Sequence, residues 1–230
     1  MRAFYAFFIV VMIASMGAIG FGASQGSPNP VPPENIDITP VPEVTPVTKT
    51  FPSPAPVIDG TEPYMATIVT NRGDIVVELS TDAPETVNSF AFLAAKNFYD
   101  NLAFFYVVKD YYAQVGDPAC NPDLDVVCTG TGDAGYDVSL ENTDAEQVQW
   151  SLIAPHVPGT ESASGGQFAI LYQDLGDEDT VFGTVVEGQD ILNGLDEFRL
   201  CSALNKVVEG CAEEIADSPL IIEDVVVERG

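Results

Sequence analysis

Four cysteines, grouped as two close pairs, have the best-defined chemistry of any side chains in this sequence. Cys120 lies shortly before Cys128, and Cys201 lies shortly before Cys211. Structural zinc usually requires four converging ligands and the tighter C-x-x-C spacing, so we expect no metal here. An even number of cysteines in an exported chain indicates disulfides. The spacing alone leaves the connectivity open, and we predict local pairing within each pair.

The other side chains with catalytic or ligating potential form no recognised site of their own. His156 is the only histidine, and nothing beside it resembles a nucleophile arrangement, so we assign it no catalytic role. Several acids carry the oxygen ligands that calcium prefers, but their spacing matches no EF-hand loop, and we expect solvated carboxylates. These acids are Asp123, Asp125, Asp174, Asp177, Glu178 and Asp179. We therefore predict a protein without a metal or a cofactor.

The charge balance argues against two classes of partner. Lys and Arg number 8 against 35 Asp and Glu, which gives a formal net charge of −27. A phosphate backbone or an anionic membrane surface is bound by clustered basic residues, so nucleic acid is not an expected partner. The acid excess favours a solvated surface whose charges repel one another. The alternative is that this charge steers basic polypeptides toward the protein.

Residues 1–24 are predicted to be a secretory signal peptide or a membrane anchor. Arg2 is followed by an apolar run to about residue 23, and small residues such as Gly22 and Ser24 lie at its end. This is the layout of a cleavable signal. The run is about 20 residues long, which is also enough to span a bilayer uncleaved. We expect an exported protein, either secreted or tethered to the outer face of the cell membrane.

Residues 25–60 are predicted to be a disordered spacer rich in Pro, Val and Thr. The segment contains runs such as PNPVPP at 28–33 and FPSPAP at 51–56. Proline lacks an amide donor and fixes φ, so the segment builds neither a helix nor a central strand. An extended spacer of about 3 Å per residue fits this composition. A proline-rich ligand for a partner is the alternative interpretation.

The elements that must position any site lie in residues 61–230. Two β-branched runs, 66–71 and 74–79, are separated by a turn at 72–73 and predict a hairpin. Many short strands with glycine-rich turns and only two helices favour a closed antiparallel barrel. Further strands are predicted at 103–108, 111–115, 151–154, 167–171, 181–186 and 220–228.

Two helices complete the predicted domain. Asp82 can accept hydrogen bonds from the first free amides of a helix, Pro84 fits its first turn, and Glu85 is placed as a capping-box acid. An apolar face at helical spacing continues this first helix to about Asn97. A second, shorter helix is predicted over residues 188–195.

Five sequence blocks, in one order along the chain, resemble a known family. Residues 71–79 (NRGDIVVEL), 82–90 (DAPETVNSF) and 104–118 (FFYVVKDYYAQVGDP) are similar to the opening hairpin, first helix and central strand pair of bacterial-type cyclophilins. Residues 165–170 (GGQFAI) and 181–188 (VFGTVVEG) are similar to two later blocks. The resemblance covers residues 64–229. It implies a mainly β fold, a closed antiparallel barrel of eight strands capped by two helices.

The resemblance also implies an activity, peptidyl-prolyl cis–trans isomerisation. The barrier to this rotation, about 18–20 kcal/mol, comes from amide resonance. Catalysis therefore needs an apolar pocket for the proline ring, polar anchors for the flanking carbonyls and a donor to the imide nitrogen. In the family, an arginine in a Phe-His-Arg-Val block supplies that donor. Here the block reads Phe-Phe-Tyr-Val, so Tyr106 stands at the arginine position, with Gln114 as the second expected catalytic residue.

The rest of the implied site keeps its polar anchors but changes its apolar lining. Gln114 and Gln167 match the glutamines of the family. A phenylalanine and a methionine of the family become Tyr111 and Tyr112, and the second phenylalanine after the later glutamine becomes Ala169. A tryptophan and a histidine of the family fall on Asp174 and Asp179. The expected substrate-binding residues are Tyr111, Tyr112, Gln167, Phe168, Ala169, Leu175 and Asp179.

Two functions from different classes remain open at this point. The first is an isomerase acting on exported polypeptides with reduced activity, because loss of one preorganised donor costs about 10²–10³ in rate. The second is a catalytically inactive module that binds proline or peptides, or acts as a scaffold, on the same fold. In both cases the expected partners are proline-containing polypeptides. We expect a monomer, with membrane attachment only through the N-terminal apolar segment.

Overall fold

The computed structural model describes residues 49–124, 127–141, 145–157, 159–176, 179–199 and 218–230. The predicted signal or anchor, residues 25–48 of the spacer, and Cys201 and Cys211 lie outside the described residues. So do Asp125, Asp177 and Glu178. Within the described ranges, no helix is long and apolar enough to cross a membrane.

The described residues form a mainly β structure with two helices. Most of the strands pair antiparallel in a single curled sheet, and two short strands pair separately. The strands are β1 (Tyr64–Thr70), β2 (Gly73–Leu79), β3 (Leu102–Ala103), β4 (Tyr106–Val108), β5 (Tyr112–Val115), β6 (Asp137–Ser139), β7 (Ser151–Ala154), β8 (Ser162–Ser164), β9 (Phe168–Leu171), β10 (Thr180–Glu187), β11 (Phe198–Arg199) and β12 (Ile221–Arg229); the helices are α1 (Pro84–Ala94) and α2 (Gln189–Asn193).

The curled sheet returns to the strand segment from which it starts. Its strand order is β11-β4-β5-β9-β7-β10-β2-β1-β12-β3. β3 and β4 are separated only by Phe104 and Phe105, whose amides donate to Leu220 O at 2.9 Å and to Gln114 O at 3.1 Å. Residues 102–108 therefore bond to β12 at one end and to β5 at the other. With β3 and β4 taken as one bent strand, eight strands close a ring, as the sequence predicts, and β11 lies outside it.

Side-chain alternation divides the strands beside the predicted site into an inner and an outer face. Val115 lies opposite Phe168 in the β5–β9 pairing, and both side chains are buried in the main core. The next pair, Gln114 and Ala169, faces outward, because successive residues of a strand point to opposite faces. The residues of the predicted site are thus sorted between the core and the outer surface by the register alone.

Helix α1 begins where the sequence predicts it, but it ends at Ala94 instead of near Asn97, and its cap is different. Ala83 is the N-cap residue, and no side chain within the helix start caps it. The prediction that Asp82 is the cap is wrong, since Asp82 lies one position too early. A carboxylate from a distant loop takes its place: Glu141 Oε1 accepts from Glu85 N at 3.0 Å, and Oε2 accepts from Thr86 N at 2.8 Å and from Thr86 Oγ1 at 2.5 Å.

This arrangement predicts that Glu141 stabilises the fold through α1. Glu141→Ala is expected to lower the free energy of unfolding by about 2 kcal/mol, because two amides at the positive end of the helix lose an anionic acceptor. Urea unfolding measures the loss. The control is Glu223→Gln, which removes one negative charge from an exposed position on β12. Equal midpoints for the two variants would contradict the capping role.

The last part of the predicted spacer belongs to the folded unit. Residues 49–60, here called the N-terminal strap, lie against α1. Lys49 Nζ donates to Asn97 O at 2.5 Å, Phe51 N donates to Ala134 O at 2.8 Å, and Val57 N donates to Asn88 Oδ1 at 2.9 Å. The rings of Phe51 and Phe92 meet edge to face at 5.3 Å between centroids. The predicted start of the domain at residue 61 is therefore too late.

Candidate active site

One row of side chains crosses the outer face of four neighbouring strands. Tyr106 on β4 lies opposite Gln114 on β5, Gln114 lies opposite Ala169 on β9, and Ala169 lies opposite Ile153 on β7. Three of these four residues are predicted site residues. The order of the strands in the ring therefore brings together positions that lie far apart in the sequence.

A surface cavity of about 280 Å³ lies over this row. Six of the predicted site residues line it, namely Tyr111, Tyr112, Gln114, Ala169, Leu175 and Asp179. Among the described residues, Ile153, Pro155 and His156 also line it. The cavity floor is apolar, since Ile153 and Ala169 pack with Leu171 and Val181 beneath Tyr112 and Leu175. The arrangement is an open pocket with an apolar floor and a polar rim.

A relay of hydrogen bonds fixes the two glutamines at one end of the cavity. Gln114 Nε2 donates to Gln167 Oε1 at 2.7 Å. Gln167 Nε2 donates in turn to the carbonyls of Gly132, at 2.6 Å, and Gly130, at 3.3 Å. Gln167 therefore holds the amide of Gln114, and only Gln114 of the two lines the cavity.

Asp117 supports this relay from the interior, a role that the sequence analysis missed. Its fully buried carboxylate accepts from Ala119 N at 2.8 Å, Gly132 N at 3.0 Å and Thr129 Oγ1 at 3.2 Å. These bonds shape the loop that presents the carbonyl of Gly132 to Gln167. The sequence contained a signal for this role, since Asp117 is an acidic residue shortly after the predicted strand 111–115.

Gly116 allows the end of β5 to approach the backbone of Gly166 and Gln167 closely. Its φ is +113°, and a Cβ atom built there would lie 2.4 Å from Gly166 O and 2.6 Å from Gln167 Cα. Both contacts are with backbone, so a side chain at this position would displace Gln167. The glycine is thus required by the geometry of the site.

Three tyrosines form a continuous aromatic surface beside the cavity. The centroid of the Tyr112 ring lies 5.4 Å from that of Tyr106 and 5.1 Å from that of Tyr111. Burial raises the pKa of Tyr112, and the neighbouring Tyr106, Tyr111 and Asp179 raise it further. Tyr112 is therefore a neutral donor at physiological pH. Tyr106 contacts Tyr112 at the edge of the cavity rather than forming part of its lining.

The carboxylate of Asp179 is fixed in the cavity wall. Its Oδ1 accepts from His156 N at 2.7 Å. Sequence analysis assigned no catalytic role to His156, and the structure places it in the lining of the cavity. Asp174, in contrast, is exposed and accepts from Gln149 N at 3.1 Å, and it is not part of the lining.

Phe168 lies apart from the other predicted binding residues. Its side chain is 1% exposed and packs in the main core among the rings of Phe90, Tyr99, Phe104 and Phe182. The expectation that Phe168 contacts substrate does not fit this placement. The reason is strand alternation, since the adjacent Ala169 takes the outward position.

The structure joins Cys120 to Cys128 by a disulfide beside the glutamine relay. One ligand atom each from Asp117, Cys120 and Cys128 lies within 4.8 Å of the others, which is close enough for a metal site. Metal binding by cysteine requires the thiolate, and these two sulfurs are bonded to each other. The cluster therefore fits a structural disulfide that closes the loop after Pro118.

Comparison with known proteins assigns the fold and the family. The model of a family described as "Cyclophilin type peptidyl-prolyl cis-trans isomerase/CLD" matches residues 65–214. A peptidyl-prolyl cis-trans isomerase of Helicobacter pylori is 32% identical over 149 residues, which cover 62% of this chain and 85% of that protein. A peptidyl-prolyl cis-trans isomerase-like 1 of Emericella nidulans is 29% identical, covering 64% and 97%.

Solved structures agree on the fold. A crystal structure of a Cryptosporidium parvum cyclophilin type peptidyl-prolyl cis-trans isomerase, in the presence of the dipeptide Ala-Pro, matches with a TM-score of 0.57 and 23% identity. The match covers 72% of this chain and 99% of that chain. The chain belongs to the cyclophilin-type peptidyl-prolyl cis-trans isomerase family. Its class is therefore that of a peptidylprolyl isomerase.

Proposed function

We propose that this protein isomerises X-Pro bonds of exported polypeptides at a reduced rate. The observation that carries the proposal is the position of Tyr106 directly opposite Gln114 at the edge of the cavity. A proline ring would lie on the floor formed by Ile153 and Ala169. The second N–H of the Gln114 amide would donate to a flanking carbonyl. The phenol of Tyr106 or Tyr112 would then be the donor closest to the imide nitrogen.

The reduction in rate follows from the chemistry of that donor. A phenol is neutral, and charge-assisted hydrogen bonds are roughly twice as strong as neutral ones. The donor is needed only as the imide nitrogen pyramidalises, so its weakness raises the barrier without weakening ground-state binding. The remaining parts, a pocket floor and a fixed amide, support binding of proline-containing peptides.

The exported location is supported by the sequence and by the disulfide. Disulfides persist in oxidising compartments, and the structure joins Cys120 to Cys128. The apolar residues 3–23 after Arg2 have the layout of a signal or an anchor. Both features are expected of a protein that meets its polypeptide substrates outside the cytoplasm.

A second candidate function is a binding module without catalysis. The aromatic surface of Tyr106, Tyr111 and Tyr112 favours it, because proline-rich segments dock onto aromatic-lined grooves. In this case the protein would hold proline-containing segments and leave the rate of isomerisation unchanged.

Exchange NMR on short X-Pro peptides distinguishes the two functions. We expect measurable acceleration of cis–trans exchange, about 10²–10³ below that of an arginine-bearing relative. A rate within about tenfold of that relative would show that the missing arginine is not limiting. Peptide binding without any acceleration would support the binding module.

A further inference from the structure

We propose that the cavity selects polypeptides that carry a lysine or arginine next to the proline. This inference rests on the proposed function, because it names the substrate class of the same site. The cavity combines an apolar floor with one fixed carboxylate and two aromatic rings. A pocket for a proline ring alone requires neither the carboxylate nor the tyrosine hydroxyls.

The carboxylate of Asp179 is placed to meet a cation that enters the cavity. The hydrogen bond from His156 N to Oδ1 fixes its position in the wall beside Leu175 and Tyr112. Among the described residues, no lysine or arginine lines the cavity. A substrate ammonium or guanidinium would be attracted to this carboxylate, and an acidic substrate residue would be repelled by it.

The two lining tyrosines add a second attraction for a cation. The rings of Tyr111 and Tyr112 meet at 47° with centroids 5.1 Å apart, and both line the cavity. Tyrosine faces attract ammonium and guanidinium groups through the ring quadrupole. An acidic group together with two aromatic faces is a suitable site for the charged end of a basic side chain.

The floor suits the remainder of such a side chain. Ile153, Ala169 and Leu175 offer apolar contacts along which the methylene stem of lysine or arginine can lie. The volume of about 280 Å³ leaves space beyond a proline ring. Ala169 contributes to this space, since its methyl group is the smallest apolar side chain in the row.

The charge of the whole protein acts in the same direction. A net charge of −27 attracts basic polypeptides over a distance and raises their encounter rate. This long-range effect is screened by salt with a Debye length of about 10 Å at 0.1 M, whereas the contact with Asp179 inside the cavity is screened less. Salt therefore separates steering from recognition.

The test compares isomerisation of matched peptides by exchange NMR. The substrates are Ala-Lys-Pro-Phe with blocked ends and its Gln and Glu counterparts, and a second set with the variable residue after the proline. In at least one set, we expect the lysine peptide to exceed the glutamate peptide about tenfold in kcat/KM, corresponding to one charged contact. The preference should decrease, but persist, when salt rises from about 0.02 to 0.5 M.

Two variants assign the preference to the cavity. Asp179→Asn keeps an oxygen that can accept from His156 N, so the wall is preserved while its charge is removed. We expect the Lys-to-Glu ratio to fall to about 2 or less, and this ratio is unaffected by any change in rate that is common to all peptides. Glu228→Gln removes one charge from an exposed position on β12 that is not part of the cavity lining, and it should retain the ratio.

The outcomes separate this inference from the function on which it rests. Absence of acceleration for every peptide would refute the proposed isomerase. Equal acceleration of lysine, glutamine and glutamate peptides would refute the basic preference and leave the isomerase intact. A ratio that falls as much in Glu228→Gln as in Asp179→Asn, or that disappears at 0.5 M salt, would also refute recognition by the cavity.

Discussion

Tyr106→Arg is expected to raise kcat/KM on X-Pro peptides by about tenfold or more. The substitution places a guanidinium opposite Gln114, at the edge of the cavity, where it can donate a charge-assisted hydrogen bond to the imide nitrogen. Hydrogen bonds to charged groups contribute about 1.5–3 kcal/mol, which corresponds to this gain. The gain should remain below about 10²–10³, because Ala169, in place of the phenylalanine of the family, leaves the apolar contact with the proline ring incomplete. Exchange NMR on one peptide series measures it.

Matched variants at the same position separate charge from shape. Tyr106→Lys supplies a cation without the planar fork of arginine and should recover only part of the gain. Tyr106→Phe keeps the ring and removes the hydroxyl, and it should not raise the rate. If Tyr106→Arg is folded and no faster than the parent protein, then the donor does not limit the rate. If the new arginine pairs with Asp179 instead of the substrate, then adding Asp179→Asn to Tyr106→Arg should raise kcat/KM above that of Tyr106→Arg alone.

Phe168→Ala is expected to cost about 3–5 kcal/mol of unfolding free energy. The ring is almost fully buried, and it contacts four other rings with centroids 5.5–6.4 Å away. Its removal leaves a cavity at the centre of the barrel that this aromatic cluster cannot fill by small shifts. Chemical unfolding followed by the fluorescence of Trp150, the only tryptophan, measures the loss.

Phe51→Ala is the matched control for this prediction. It deletes the same side chain from a half-buried position where the ring meets that of Phe92. A loss of about 1–2 kcal/mol is expected there, because less apolar surface returns to water. Similar losses for the two variants would mean that the ring cluster around Phe168 contributes no more than a surface contact.

The strands of the ring could be predicted because each strand has a recognisable pattern in its own short stretch of sequence. The hairpin β1–β2 has a turn and two β-branched runs, and α1 has a proline and an apolar face, all within a few neighbouring residues. The same use of local patterns assigned Phe168 to the binding site, whereas its side chain packs in the core, although strand alternation already indicated this. Gln167 and Ala169 alternate with Phe168, so residues placed together in the predicted site had to point to opposite faces.

Features that depend on contacts between residues far apart in the sequence could not be predicted from local patterns. Glu141 caps α1 across 55 or more positions, and no local motif marks it as a helix partner. The contribution of Asp117 depends on the loop that folds around its carboxylate. The strap was assigned to the spacer because its prolines exclude helix and central strand, yet an extended segment can still pack on a surface through its carbonyls and occasional aromatic rings.

The strap determines how the domain responds to a mechanical load on its N-terminal side. A force that pulls on the chain before residue 49 acts first on the bond from Lys49 to Asn97 O and on the contact of Phe51 with Phe92. These contacts break one after another from the N-terminal end, and each break lengthens the extended segment of chain that carries the force. β1 is loaded only afterwards, and it is bonded along its length to β2 and β12, which must shear together. Single-molecule extension should therefore show a small early step at low force before the barrel yields.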